Sequence, residues 1–287
     1  MYLEIVTTVT VLLVAGLIVK QQLSMSRQQR NQLKKGIALI KHLQRVIGLT
    51  QKHRGISNAI QQGNASLKPQ LVSIQGELEH LITEGSRLDL SLHPQWESFI
   101  EHWPRLKKHS LTYDLKPLNL IRQHNMMIES QLSLFDDLTR YYKLYTMMLD
   151  SFSHASELCL DMLRAAEIVA QTRGIGAGVC AKGICDGVDK ITLNFLRLSV
   201  ANSTNDLIHE LNTINNPVLT KQLKHSLTII EQSLDRLVYV IDHQVSVDGN
   251  TKITAKDYFA IASTPIDELL NVFNKILSFA SQHYANS

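Results

Sequence analysis

Cysteine, proline and glycine are all scarce in this chain of 287 residues, and its charges nearly cancel. Three cysteines are an odd count, which fits a reducing compartment better than a disulfide framework. Six prolines and 13 glycines interrupt the text rarely, and no run of convincing length alternates apolar with polar residues. A formal charge of +3 is too small to nominate nucleic acid as a partner. The basic residues gather towards the N-terminus, with no aromatic-and-basic stripe beside them. Chemistry is missing too: the 12 histidines form no His-Glu-x-x-His, and no nucleophile elbow occurs. Cys180 and Cys185, with distant Cys159, match no standard zinc spacing and have no fourth ligand close by, so they read as buried thiols. Gly174, Gly176 and Gly178 tempt a dinucleotide reading. Val179 stands where the third glycine belongs, however, and a helical pattern precedes the run. No enzyme activity, metal or cofactor is expected.

What is present is Leu, Ile, Gln, Lys, Glu and Ser at three-and-four spacing, which predicts an all-α chain. Within it one motif occurs twice. Arg54-Gly55-Ile56-Ser57-Asn58-Ala59 and Arg173-Gly174-Ile175-Gly176-Ala177-Gly178 share the pattern Arg-Gly-Ile-small-x-small, 119 positions apart (173 − 54). Helical steps back from Arg54 meet Thr50, Ile47, Leu43 and Ile40, and the same steps from Arg173 meet Val169, Ala166, Met162 and Cys159. Each walk follows the inward stripe of an amphipathic helix and ends on an arginine. Arg45 and Arg164 repeat the offset and point outward, about two and a half turns away from the motif arginines. Leu39 and Leu158 match as well. An internal duplication follows from these positions.

The chain divides accordingly. Residues 5–19 carry no charge and are expected to form a transmembrane helix, about 22 Å long by helical rise. The start Met-Tyr-Leu-Glu lacks the basic region and cleavage site of a signal peptide. Lys20, Arg27, Arg30, Lys34 and Lys35 follow the run and none precedes it. That places the rest on the cytoplasmic side of an inner (plasma) membrane. Boundaries are expected at 1–20 for the anchor, 21–36 for a basic linker, 37–150 for a first four-helix-type bundle and 151–287 for a second. Breaks are expected at Pro69, Pro94, Pro104, Pro117 and Pro265, within 202–217, and at 248–250. A long helix is expected to run through Met148 into the second repeat near Ser151.

A buried guanidinium needs a counter-charge, because an unpaired charge out of water costs several kcal/mol. Two sources remain open. Each arginine pairs with a carboxylate of a neighbouring helix, with Asp136, Asp137, Asp186, Asp189 and Glu231 as candidates. Otherwise both serve a small anion. A small, planar, weakly hydrated oxyanion has oxygens that match the guanidinium fork. Gly55 and Gly174 remove a Cβ beside each arginine, so helices approach closely and leave a pocket of a few atoms. Amides freed where the glycines loosen the helix add donors.

The paired Arg-Gly-Ile motifs resemble the signatures of the nitrate- and nitrite-sensing (NIT) domain family. The segment Ile253-Thr-Ala-Lys-Asp-Tyr258-Phe-Ala-Ile-Ala-Ser-Thr264-Pro-Ile-Asp267 is similar to that family's closing helix. The resemblance covers roughly residues 37–279. It implies two four-helix bundles that bind nitrate or nitrite between them and pass a signal to an output module, with homodimers common. Arg54 and Arg173 match the ligand-binding arginines, and the implied site takes in Gly55, Gly174 and Ser57. Arg236 is a third candidate by position, although it lies off the apolar stripe of its own helix, formed by Ile230, Leu234, Leu237 and Ile241. Two departures stand out. The family commonly places Glu before the motif arginine, where this chain has His53 and Thr172. No kinase, cyclase, methyl-accepting coiled coil or RNA-binding tail is read in the chain, so output is expected through an unknown signalling protein or the membrane. The competing class is a helical protein-interaction scaffold that has kept the fold and no longer binds an anion.

Overall fold

Among the described residues the three-and-four spacing becomes eight α-helices: α1 (Tyr2–Gln61), α2 (Lys68–Arg87), α3 (Pro94–Thr112), α4 (Pro117–Tyr141), α5 (Ala155–Lys182), α6 (Gly187–Thr213), α7 (Pro217–Val240) and α8 (Ala255–Asn286). This computed structural model describes the backbone of residues 2–112, 114–247 and 249–286, and their side chains except at 2–19, 22–24, 26, 285 and 286. Among the described residues the only extended pairings are two isolated bridges, Met148 with His154 and Ile184 with Asn250.

Local chemistry sets the helix ends. Pro69, Pro94, Pro117 and Pro217 sit in first turns, where a missing N–H costs nothing. Asp186 caps α6 by accepting from the amides of Val188 and Asp189, while the Asp189 carboxylate takes the Asp186 amide in return. Gly183 closes α5 in a left-handed conformation at φ 80° that a side chain would strain. Pro104 and Pro265, expected to break the chain, lie inside α3 and α8. An interior proline costs about 3 kcal/mol. Each is flanked by buried apolar residues, Trp103 and Leu106 in α3, Ile266 and Leu269 in α8. Burying each of those contributes roughly 1.5–3 kcal/mol, which outweighs the lost bond.

Two further expectations are corrected. The stretch 21–36 is no irregular linker: it continues α1 as helix, its described side chains largely in solvent until Gly36 and Ile37 enter the core. No helix runs through Met148, because Lys143 takes a left-handed turn at φ 56° and Leu144–Thr146 form a 3₁₀ turn before α5. The break at 248–250 is present at Gly249, also left-handed, whereas Asp248 lies outside the described residues. The proposed anchor falls on residues 5–19, whose side chains also lie outside them. Among the described residues no helix is long and apolar enough to cross a membrane.

The two halves repeat one pattern. In the first, α1 packs on α2 and α4, and α3 on α4; in the second, α5 packs on α6 and α8, and α7 on α8. The motif helices α1 and α5 pack on each other, so a continuous buried core runs through both bundles. Every position of both inward walks is buried, and Arg45 and Arg164 are exposed as their offset requires.

Candidate functional site at the crossing of the motif helices

Helices α1 and α5 cross at the two motif glycines. A Cβ on Gly55 would lie 3.6 Å from the Gly174 Cα, and one on Gly174 would lie 3.7 Å from the Gly55 Cα. The near-equality of these distances marks a two-fold-like contact between the repeats. Asn58 fastens it by donating from Nδ2 to the Gly174 carbonyl at 2.8 Å, over the bare Cα of Gly178. Tyr258 of α8 fills the space left by Gly176 and donates its hydroxyl to the Thr172 carbonyl at 3.0 Å.

Arg54 and Arg173 are each 1% exposed, and they meet different surroundings. Arg54 forms a bidentate ion pair with Glu167 of α5, Nη1 donating to Oε1 at 2.5 Å and Nη2 to Oε2 at 3.1 Å. Nη1 also donates to Asn125 Oδ1 of α4 at 2.6 Å. Gln51 and Gln171 complete the carboxylate, donating to Oε2 at 3.0 Å and to Oε1 at 2.9 Å. Glu167 is thus a planar oxyanion held by four N–H donors from both motif helices. None of the five acids suggested by the sequence fills this role. Asp136 binds Arg140, Asp137 accepts from Gln95, Asp186 and Asp189 hold Lys182, and Glu231 is exposed.

Arg173 finds no carboxylate among the described residues. Its Nη1 donates to Ser263 Oγ of α8 at 2.9 Å, and its guanidinium lies 4.5 Å from the Phe259 ring centroid. Nε and Nη2 are buried without a hydrogen-bond partner. Burial, then the like charge of Arg54, lower its pKa to about 10, against the opposing fields of Asp267, Glu167 and Tyr258. It remains a cation at neutral pH. Buried donors are nearly always satisfied, so two orphans on one guanidinium mark a place that suits an acceptor. The Ser57 hydroxyl and Arg54 Nε are likewise buried and unpartnered.

The structure therefore brings Arg54, Gly55 and Gly174 together at one crossing, with Arg173 close enough to feel the Arg54 charge, and leaves Ser57 buried one turn further along α1. Arg236 is elsewhere: it is exposed on α7 and lines a shallow groove with Ala260, Ile261 and Thr264 of α8. A cavity of about 260 Å³ reaches the Arg54 side, bounded by Asn125, Gln171, Gly174, Thr192 and Phe195. Behind Arg54 runs a buried neutral chain: Gln75 Nε2 donates to His53 Nε2 at 3.1 Å, His53 Nδ1 to His124 Nε2 at 2.8 Å, and His124 Nδ1 to the Leu120 carbonyl at 2.8 Å. Only this direction of donation lets both rings stay neutral. Burial drives both pKa values down, His53 well below its usual value and His124 to about 3. Glu167 had a signal in the sequence as the one acid between Arg164 and Arg173. The family's acid before the motif arginine is replaced at Arg54 by one from across the crossing, and Arg173 has no such partner among the described residues.

These features define a two-bundle, all-helical fold with a buried arginine pair where its halves meet. No family model matches the chain, and no curated protein matches it. Among solved structures it is similar to the NasR transcription antiterminator, at a TM-score of 0.68 and 14% identity, covering 95% of this chain and 74% of that one. At that identity the likeness shows the fold alone.

Proposed function

We propose that the chain is a membrane-anchored sensor that binds nitrate or nitrite between its two bundles and signals to a partner protein by a conformational change. The observation that carries this reading is Arg173: a fully buried cation, stacked on Phe259, with two donors unpartnered. A planar monoanion of four or fewer heavy atoms suits such a fork and the narrow crossing at Gly55 and Gly174. The resemblance of both motifs to the NIT family supports the same ligand. The uncharged run 5–19, followed by Lys20, Arg27, Arg30, Lys34 and Lys35, supports an anchor in an inner membrane with both bundles in the cytoplasm. A homodimer is part of the reading by family resemblance. Catalysis and nucleic-acid binding form no part of it.

Affinity has a ceiling. At about −1.5 kcal/mol per heavy atom, nitrate gains at most roughly −6 kcal/mol, a dissociation constant of about tens of micromolar. Titrating the full chain by calorimetry with nitrate, nitrite, chloride and sulfate tests this. Saturable heat with nitrate or nitrite, removed in a folded Arg173→Ala variant, is the expected result. Silence of the folded wild type towards all four anions sinks the sensor.

One observation favours a second reading. Glu167 already neutralises Arg54, as it would in a helical scaffold that keeps the fold without a ligand. The same silent titration is the outcome that supports it.

A further inference from the structure

The two-fold-like crossing allows each partner of Arg54 to be matched with its counterpart around Arg173. On the motif helices the offset is 119, so Glu167 corresponds to Gly48, Gln51 to Ala170, and Gln171 to Lys52. On α4 and α8 the structural counterparts are Asn125 and Ser263, which accept from Arg54 and Arg173 respectively. The same register sets Ile121, beside the Arg54 cavity, against Phe259, under Arg173. The register holds for the α4 and α8 partners and fails around the carboxylate, where Ala170 and Lys52 stand in place of Gln51 and Gln171. Where Glu167 answers Arg54, the matching position carries a hydrogen. A Cβ built on Gly48 meets nothing within 4 Å, so that position is open rather than filled by a neighbour.

The charge count follows. Arg54 and Glu167 cancel, with two neutral amides beside them. At the mirrored positions stand Arg173 and Lys52, and no acid among the described residues forms an ion pair with Arg173. The field of Asp267 on α8 favours the Arg173 cation, but Asp267 is exposed and forms no ion pair with it among the described residues.

We propose that the anion site is one-sided: nitrate or nitrite binds Arg173 in the open space at Gly48, where the repeat would place the equivalent of Glu167. This rests on the sensor reading and sharpens it. Glu167 acts as a built-in anion that saturates one half, so each chain takes one free anion. Arg54, Gln51, Gln171 and Asn125 then position the crossing without touching the ligand.

The test turns on Gly48→Glu and Gly48→Gln in the full chain, two variants that gain equal bulk and helix propensity and differ in charge. The wild type should titrate with nitrate or nitrite at one anion per chain. Gly48→Glu should weaken binding at least ten-fold, because its carboxylate takes the guanidinium in the way Glu167 takes Arg54. Gly48→Gln fills the same space without the charge, and should weaken binding clearly less than Gly48→Glu. Gly48→Glu should also melt above Gly48→Gln in anion-free buffer, a readout that needs no ligand. Equal binding by the two variants, or two anions per wild-type chain, overturns the one-sided site while leaving the sensor standing. A wild type that binds no anion overturns both.

Discussion

Glu167→Gln is the most informative single change for the energetics of the crossing. The carboxylate takes two N–H donors from Arg54 and one each from Gln51 and Gln171. An amide of the same shape accepts at one oxygen, and its NH₂ must then face donors. The Arg54 guanidinium, 1% exposed, also loses its counter-charge. Removing one partner of a buried ion pair costs about 3–5 kcal/mol, because the charge left behind stays desolvated. For a chain of 287 residues that corresponds to a fall of roughly 5–10 °C in Tm. The assay is thermal and urea denaturation followed by helical circular dichroism. Arg54→Met in the same background should recover much of the loss, since replacing a whole buried pair is often close to neutral. The coupling between the two changes should then reach about 2 kcal/mol or more. A Glu167→Gln protein within 1 kcal/mol of wild type would refute the account of Glu167 as the counter-charge of Arg54.

The remaining predictions concern the packing around that pair. His53 and His124 are buried neutral with depressed pKa values, so the unfolded chain binds more protons below about pH 6.5. Their contribution is fully present above that pH and is lost as pH falls towards about 3, at roughly 1.4 kcal/mol per pH unit for each ring. Urea midpoints from pH 7.5 to 5.0 should fall accordingly, less steeply in His124→Gln. A flat profile would mean that the rings accept protons in the fold, despite the opposing charges of Lys107, Arg54 and His102. Gly176→Ala would drive a methyl into the Tyr258 ring and should cost about 1–3 kcal/mol. Gly187→Ala, where a Cβ meets nothing, should be near neutral or stabilising, and comparing their melts separates close packing from helix propensity.

Much of the architecture was legible because helix periodicity is a local property. The walks from Arg54 and Arg173 placed ten side chains inward, and all ten are buried. Pro69, Pro94 and Pro117 marked helix starts for the equally local reason that a first-turn residue needs no N–H partner. Pro104 and Pro265 misled because the same residue in a helix interior is decided by what packs around it. Trp103, Leu106, Ile266 and Leu269 come from a core that no local window displays. The stretch 21–36 misled in the opposite way. Its polar composition resembles a linker, yet helix propagation from a packed segment continues through polar residues of good propensity.

The sequence by itself determined that two arginines would end two buried stripes, one in each repeat, since burial on a helix follows from spacing. Only the tertiary structure decided which of them has a counter-charge. Glu167 is 113 positions from Arg54 along the chain, and no helical spacing relates them. Their pairing exists because Gly55 and Gly174 let α1 and α5 approach until a side chain on one reaches across to the other. The same approach sets Arg173 against Ser263 and Phe259, with no acid among the described residues in reach of an ion pair. One motif written twice therefore yields two electrostatically unlike sites, because charge compensation depends on neighbours in space.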